Sequence, residues 1–183
     1  MQARPLNSRS MKNLIALGVC LFLVSCASTS AGRGHNASAQ AQFERLKTLE
    51  GEWITVAEDG AAEAGLTIRY HVASAGNTLV ETMFPGTDEE MVTVYHKDGT
   101  DLVLTHFCAV GNQPQMRAQP GESPDEIRFR FTGGANVDPD KSLYMSSLDV
   151  RFVDSAHTVA TWTHKQPGQE PLPLRFSLVR SWR

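Results

Sequence analysis

Ile127-Arg128-Phe129-Arg130-Phe131-Thr132 alternates apolar and polar side chains residue by residue. Successive side chains of a strand point to opposite faces, so Ile127, Phe129 and Phe131 share one face and Arg128, Arg130 and Thr132 the other. The same period returns in Leu148, Val150 and Phe152 against Asp149 and Arg151. It returns again in Leu172, Leu174, Phe176 and Leu178 against Pro173, Arg175 and Ser177. In each case the apolar set is expected to face an interior.

Short alternating runs broken by turn residues fill the chain from Glu52 onward, which is an all-β pattern. The expected strands are roughly 52–58, 65–74, 78–84, 90–97, 100–109, 114–119, 126–132, 145–153, 157–165 and 172–182. Ala75-Gly76-Asn77, Asp98-Gly99 and Asp154-Ser155-Ala156 supply tight turns, and Asp98-Gly99 suits a two-residue type I′ hairpin. Segments 85–89, 120–125 and 133–144 form the longer connections, with Gly133-Gly134-Ala135-Asn136 read as a loop. There is no internal repeat. Consecutive strands with short links predict a closed antiparallel up-and-down β-barrel of about ten strands, an arrangement without exposed edges. Phe43, Leu46 and Leu49 recur at helical spacing just before it. They predict a short N-terminal amphipathic helix from about Ala39 to Leu49, ended by Gly51 and serving as a lid or plug.

The junction of helix and first strand reads Gly51-Glu52-Trp53, and the last strand closes on Phe176-Ser177-Leu178-Val179-Arg180. On these residues the chain, over about 42–183, resembles the calycins, the superfamily of lipocalins and fatty-acid-binding proteins. Within that group it is most similar to uncharacterised bacterial lipocalin-like lipoproteins. The resemblance implies that Trp53 and a stacked Arg180 close the base of the barrel. It also implies a small cavity for an apolar ligand, without fixing which ligand.

The N-terminus carries a separate signal. Lys12 precedes the uninterrupted apolar segment Leu14 to Val24, which leads into Ser25 and Cys26. The basic, apolar and small-residue regions are those of a secretory signal. The apolar run is too short for a bilayer span, which takes roughly 20 residues. Leu23-Val24-Ser25-Cys26 resembles the lipobox of a bacterial lipoprotein. That resemblance implies cleavage after residue 25 and lipidation of Cys26. Ala27, rather than Asp, implies the periplasmic side of the outer membrane. The expected organisation is a signal peptide over 1–25, a lipidated Cys26 and flexible tether over 26–41, and a barrel over 42–183. The tether is Ala, Ser, Thr, Gly, Gln and Asn with little else, and cannot bury enough apolar area to fold.

Composition narrows the function. Cleavage removes Arg4, Arg9 and Lys12 and no acid, leaving 14 basic against 20 acidic residues. An acidic chain argues against a nucleic-acid partner and against electrostatic docking on anionic lipid. Membrane attachment is therefore expected through the lipid anchor only. Cys20 leaves with the signal and Cys26 is lipidated, so Cys108 is the remaining free thiol. One thiol builds neither a disulfide nor a cysteine zinc site.

The densest polar stretch runs from Tyr95-His96-Lys97-Asp98-Gly99 to Gly111-Asn112-Gln113-Pro114. With Asp98-Gly99 as the turn, Tyr95 is expected opposite Leu102, Thr93 opposite Leu104, and His96 opposite Asp101 on the surface. One face then carries Met91, Thr93, Tyr95, Leu102, Leu104, His106 and Cys108. We favour this face as interior, because small-molecule pockets set a few polar groups among apolar ones. Tyr95, His106, Cys108 and Arg117 are the candidate ligand contacts, Arg117 as a bidentate partner for a carboxylate. His106 and Cys108 lack a third ligand for a metal, so no metal site is expected. No resident cofactor is expected either, although a lone histidine such as His106 can ligate haem iron. No catalytic motif names a reaction. Hydrolysis through His106 with Cys108 or Tyr95, and a filled barrel with an interaction or envelope-maintenance role, remain alternatives to a carrier.

Overall fold

Ten antiparallel strands follow one another in chain order and close on themselves, β1 pairing with both β2 and β10. They are β1 (Gly51–Val56), β2 (Ala62–Ala73), β3 (Thr78–Met83), β4 (Met91–Asp98), β5 (Asp101–Phe107), β6 (Gln113–Gln119), β7 (Glu126–Ala135), β8 (Tyr144–Phe152), β9 (His157–Lys165) and β10 (Leu172–Arg180). One helix, α1 (Ala39–Lys47), precedes them. The computed structural model describes residues 38–57, 62–120, 123 and 125–182. The signal segment 1–25, Cys26 and the tether up to residue 37 lie outside the described residues. The fold is thus the expected closed up-and-down barrel with its N-terminal helix, calycin-like in architecture.

Helix α1 starts at Ser38, whose hydroxyl accepts from the Ala41 amide, a side-chain cap for an otherwise unpaired donor. It buries Phe43 and Leu46, and Leu49 follows them into the core. The helix ends sooner than its spacing suggests, because the Thr48 hydroxyl turns back to the Arg45 carbonyl. Gly51 therefore opens β1 instead of capping the helix. Gln42 donates to the Gln119 carbonyl and Arg45 pairs with Asp125, so α1 covers the end of the barrel where β6 finishes. That is the plug position.

Arg180 locks this closed end. Its guanidinium lies 4.4 Å from the Trp53 ring centroid and donates to the carbonyls of Glu50 (2.6 Å), Thr48 (2.5 Å) and Ser155 (3.2 Å). Trp53 Nε1 donates to the Leu49 carbonyl at 2.7 Å, which ties the first strand to the end of the helix. Gly51 has φ +123°, and a Cβ there would stand 3.1 Å from an Arg180 nitrogen. This explains the glycine of Gly51-Glu52-Trp53 on steric grounds. Arg180→Ala is expected to cost about 2 kcal/mol, combining the lost ring contact with three lost charge-assisted hydrogen bonds to carbonyls that water can then reach. Arg180→Lys should recover little, since an ammonium lacks the planar fork. The urea midpoint at unchanged m-value measures both.

Three expectations need correction. The Asp98-Gly99 hairpin pairs Asp98 with Asp101, so its turn residues are Gly99 and Thr100. Gly99 carries φ +59° and Thr100 is not left-handed, the pattern of a type II′ turn with glycine first. Tyr95 consequently faces Leu104, Thr93 faces His106, and His96 faces Val103 rather than Asp101. The slip is two residues, so every side chain keeps its face. Second, Gly133, Gly134 and Ala135 are not loop but the end of β7, paired with Gln115, Pro114 and Gln113. A Cβ on Gly134 would meet the Gln113 carbonyl oxygen at 2.4 Å, so only glycine lets these strands approach so closely. Third, the inner face of β10 is not uniformly buried. Leu178 is buried, Phe176 and Leu174 are half-buried, and Leu172 is 51% exposed. The apolar stripe runs out of the core at the open end.

Candidate functional site

The barrel has two unlike ends. Towards α1 it is filled by Phe43, Leu46, Leu49, Trp53, Ile68, Leu79, Leu102 and Phe129, all buried. At the opposite mouth Phe84, Met91, Met145, Leu174 and Phe176 are only half-buried, while Met83, paired with Met91, is buried. Around that mouth Phe107, Val110, Leu143 and Leu172 are exposed.

Between filled core and mouth lies a polar row. Tyr70 on β2 pairs with Glu81 on β3, Glu81 with Thr93 on β4, and Thr93 with His106 on β5. Direct cross-strand partners share a face, so the ladder register alone brings four polar side chains into one line. All four are buried. Tyr70 donates to Glu81 Oε1 at 2.9 Å and Tyr95 donates to Glu81 Oε2 at 2.6 Å. The Thr93 hydroxyl is a third partner of the carboxylate. Thr93 Oγ1 also lies 2.9 Å from His106 Nδ1.

Burial sets the electrostatics. Loss of water raises the Glu81 pKa, opposed by the hydrogen bonds from Tyr95, Tyr70 and Thr93. Burial, and then the charge of Glu81, hold the Tyr70 and Tyr95 phenols well above their ordinary range. Burial also lowers the His106 pKa to about 4, so its imidazole is neutral at pH 7. Among the described residues no arginine or lysine is buried. Glu81 is therefore the ionisable acid of the interior, and no cation stands beside it.

The row ends in two unused groups. His106 Nε2 and Trp162 Nε1 are buried without a hydrogen-bond partner, on rings whose centroids are 4.6 Å apart. Trp162 comes from β9. A buried polar atom without a partner costs roughly 1–3 kcal/mol, so such pairs call for an explanation.

The sequence candidates divide. Tyr95 and His106 both lie inside, on the two sides of Glu81 and Thr93. The favoured face of the β4–β5 hairpin is the inner one: Thr93, Tyr95, Leu102, Leu104 and His106 are all buried. Cys108 follows β5, half-buried, with its amide bonded to the Asn112 carbonyl at the mouth. Arg117 is elsewhere. Its neighbour Met116 points inward while Arg117 pairs with Asp101 outside, so it does not meet Tyr95 or His106. Trp53 and Arg180 stack at the far, closed end. Sequence reasoning singled out none of Tyr70, Glu81, Thr93 and Trp162 as a contact. Leu79, Glu81 and Met83 share one face of β3, but Thr78, Val80 and Thr82 make the other equally mixed, so alternation does not mark Glu81 as buried. Among the described residues no group of three or more His, Cys, Asp or Glu is arranged to hold a metal ion.

No protein-family model matches the chain, and no curated protein matches it in sequence. The fold defines a class: a closed ten-stranded antiparallel barrel with a plugged base, an apolar mouth and a buried polar row around one carboxylate.

Proposed function

We propose that this protein is a calycin-type carrier that takes a small, mainly apolar molecule into the mouth of its barrel. The observation that carries the reading is the buried, unpartnered pair His106 Nε2 and Trp162 Nε1, with half-buried Met91 and Met145 on the mouth side and half-buried Leu174 directly opposite Trp162. Unbranched methionines repack readily, which suits a mouth that must open for a guest. Native mass spectrometry of the purified protein, compared with its denatured mass, tests this. Extra mass that disappears on denaturation supports a carrier and gives the ligand class. A Soret band in the absorption spectrum would instead identify that mass as haem.

A second reading draws on the dense filling of the closed half, where Trp53, Phe43, Phe129 and Leu46 are at most 1% exposed. Such a barrel acts through its outer surface, in an interaction or envelope-maintenance role. Equal native and denatured masses across several preparations would favour it.

The anchor belongs to the same proposal. Lipid on Cys26 would hold the barrel at the periplasmic side of the outer membrane. An acylated lipoprotein carries enough hydrocarbon for stable attachment, which two chains already provide. Cys26→Ala is expected to move the protein from the membrane fraction to the soluble periplasm. Unchanged fractionation would reject the anchor.

A further inference from the structure

The polar row says what kind of head group a guest must carry, an inference that rests on the carrier reading above. Thr93 has one hydroxyl hydrogen, and Glu81 is an acceptor beside it. With that hydrogen on Glu81, the Thr93 oxygen accepts from His106 Nδ1–H over their 2.9 Å contact. A neutral imidazole carries a single N–H, so Nε2 is left as a bare acceptor. Trp162 Nε1 is a donor and nothing else. The unpartnered pair is thus one acceptor and one donor, on adjacent rings. A single hydroxyl oxygen complements both: it donates to the imidazole and accepts from the indole.

A carboxylate complements only the indole, as an acceptor. It cannot donate to His106 Nε2. It would also enter an interior whose ionisable acid is Glu81 and which, among the described residues, holds no buried lysine or arginine. Burying an anion without a partner is strongly unfavourable. Arg117, the natural partner for an acid, is engaged by Asp101 on the outer face.

We propose that the barrel selects a neutral alcohol head group on an apolar body, held between His106 and Trp162, and rejects the corresponding fatty-acid anion. Access is short. Met91 and Cys108 are the next inward residues towards the mouth from Thr93 and His106, and both are half-buried.

The test is a competition on the full chain near neutral pH, read by native mass spectrometry. The probes share one alkyl chain: dodecanol, methyl laurate and laurate. Dodecanol is expected to outcompete laurate by at least about tenfold, with the ester between them because it accepts but does not donate. In His106→Phe, dodecanol should lose its advantage over the ester while chain binding persists. Equal or preferred binding of laurate overturns the head-group assignment and leaves the carrier reading standing. Retention of none of the probes overturns both. A His106→Phe protein that binds dodecanol with the full preference removes His106 from the site. The wild-type competition decides the head group even if that variant fails to fold.

Discussion

Glu81→Leu is expected to destabilise the protein by about 4 kcal/mol, the largest effect of any single substitution considered. The leucine itself fits an apolar interior. The loss comes from what surrounds it. Tyr70 and Tyr95 each donate their hydroxyl to the carboxylate, at 2.9 and 2.6 Å, and both are buried. Removing the acceptor leaves the Tyr70 hydroxyl without a partner and the Tyr95 hydroxyl with Thr93 alone, and takes a hydrogen bond from each, at roughly 1–3 kcal/mol per phenol. Glu81→Gln should cost less, because the amide oxygen still accepts from one phenol. The informative variant is the triple, Glu81→Leu with Tyr70→Phe and Tyr95→Phe. Removing all polar partners together relieves the orphaned groups, so the triple should be more stable than the single substitution. Urea denaturation at constant m-value measures the series. A Glu81→Leu protein within about 1 kcal/mol of wild type would mean that both phenols find other acceptors.

The barrel was legible because its signal is local. Each strand declares itself by period two, and parity survives errors of register. The β4–β5 hairpin shows this well: its pairing was two residues off, yet the inner face was the same set from Met91 to His106. Arg117 was legible too, in retrospect. Pro114, Met116 and Ala118 alternate with Gln113, Gln115, Arg117 and Gln119, which already puts the arginine outside. Glu81 was not. On β3 both faces are mixed, and a lone carboxylate is normally expected in water. Its burial is explained only by two tyrosines arriving from β2 and β4, and that is a fact of register across three strands. The same holds for His106. Its residue type marked it as a candidate, but its free Nε2 follows from Thr93 opposite and Trp162 from across the barrel. Helix α1 and the Gly51-Glu52-Trp53 junction were visible at the level of pattern, whereas the reason for the glycine, the distant Arg180 bonded to the Glu50 carbonyl, was not.

His106→Phe is expected to remove an acid-sensitive part of the stability. Burial lowers the His106 pKa from its ordinary 6.5 to about 4 in the folded protein. Below pH 4 both states hold the proton, and above 6.5 neither does. Between these values the unfolded chain binds more protons than the folded one, so stability rises with pH across the window. The full contribution is about 3 kcal/mol, present above pH 6.5 and lost as pH falls towards 4. Glu81 works in the opposite sense. Its folded pKa is raised, so the folded state holds its proton longer and stability from this group declines as pH rises above the ordinary carboxylate range. The wild-type profile is the sum of two opposed slopes, and neither is visible in it alone. The difference between wild type and His106→Phe isolates the histidine, because Glu81 and the exposed histidines are common to both. Phenylalanine keeps the aromatic contact with Trp162 and removes the unpartnered Nε2, while the contact with Thr93 is lost, so at neutral pH the two proteins should lie within about 1 kcal/mol of each other. As the pH falls the variant is expected to become the more stable of the two. Denaturation free energies for both proteins across the window measure it. Parallel curves would show that His106 titrates normally in the folded barrel, and with that the buried acceptor at the mouth would be gone.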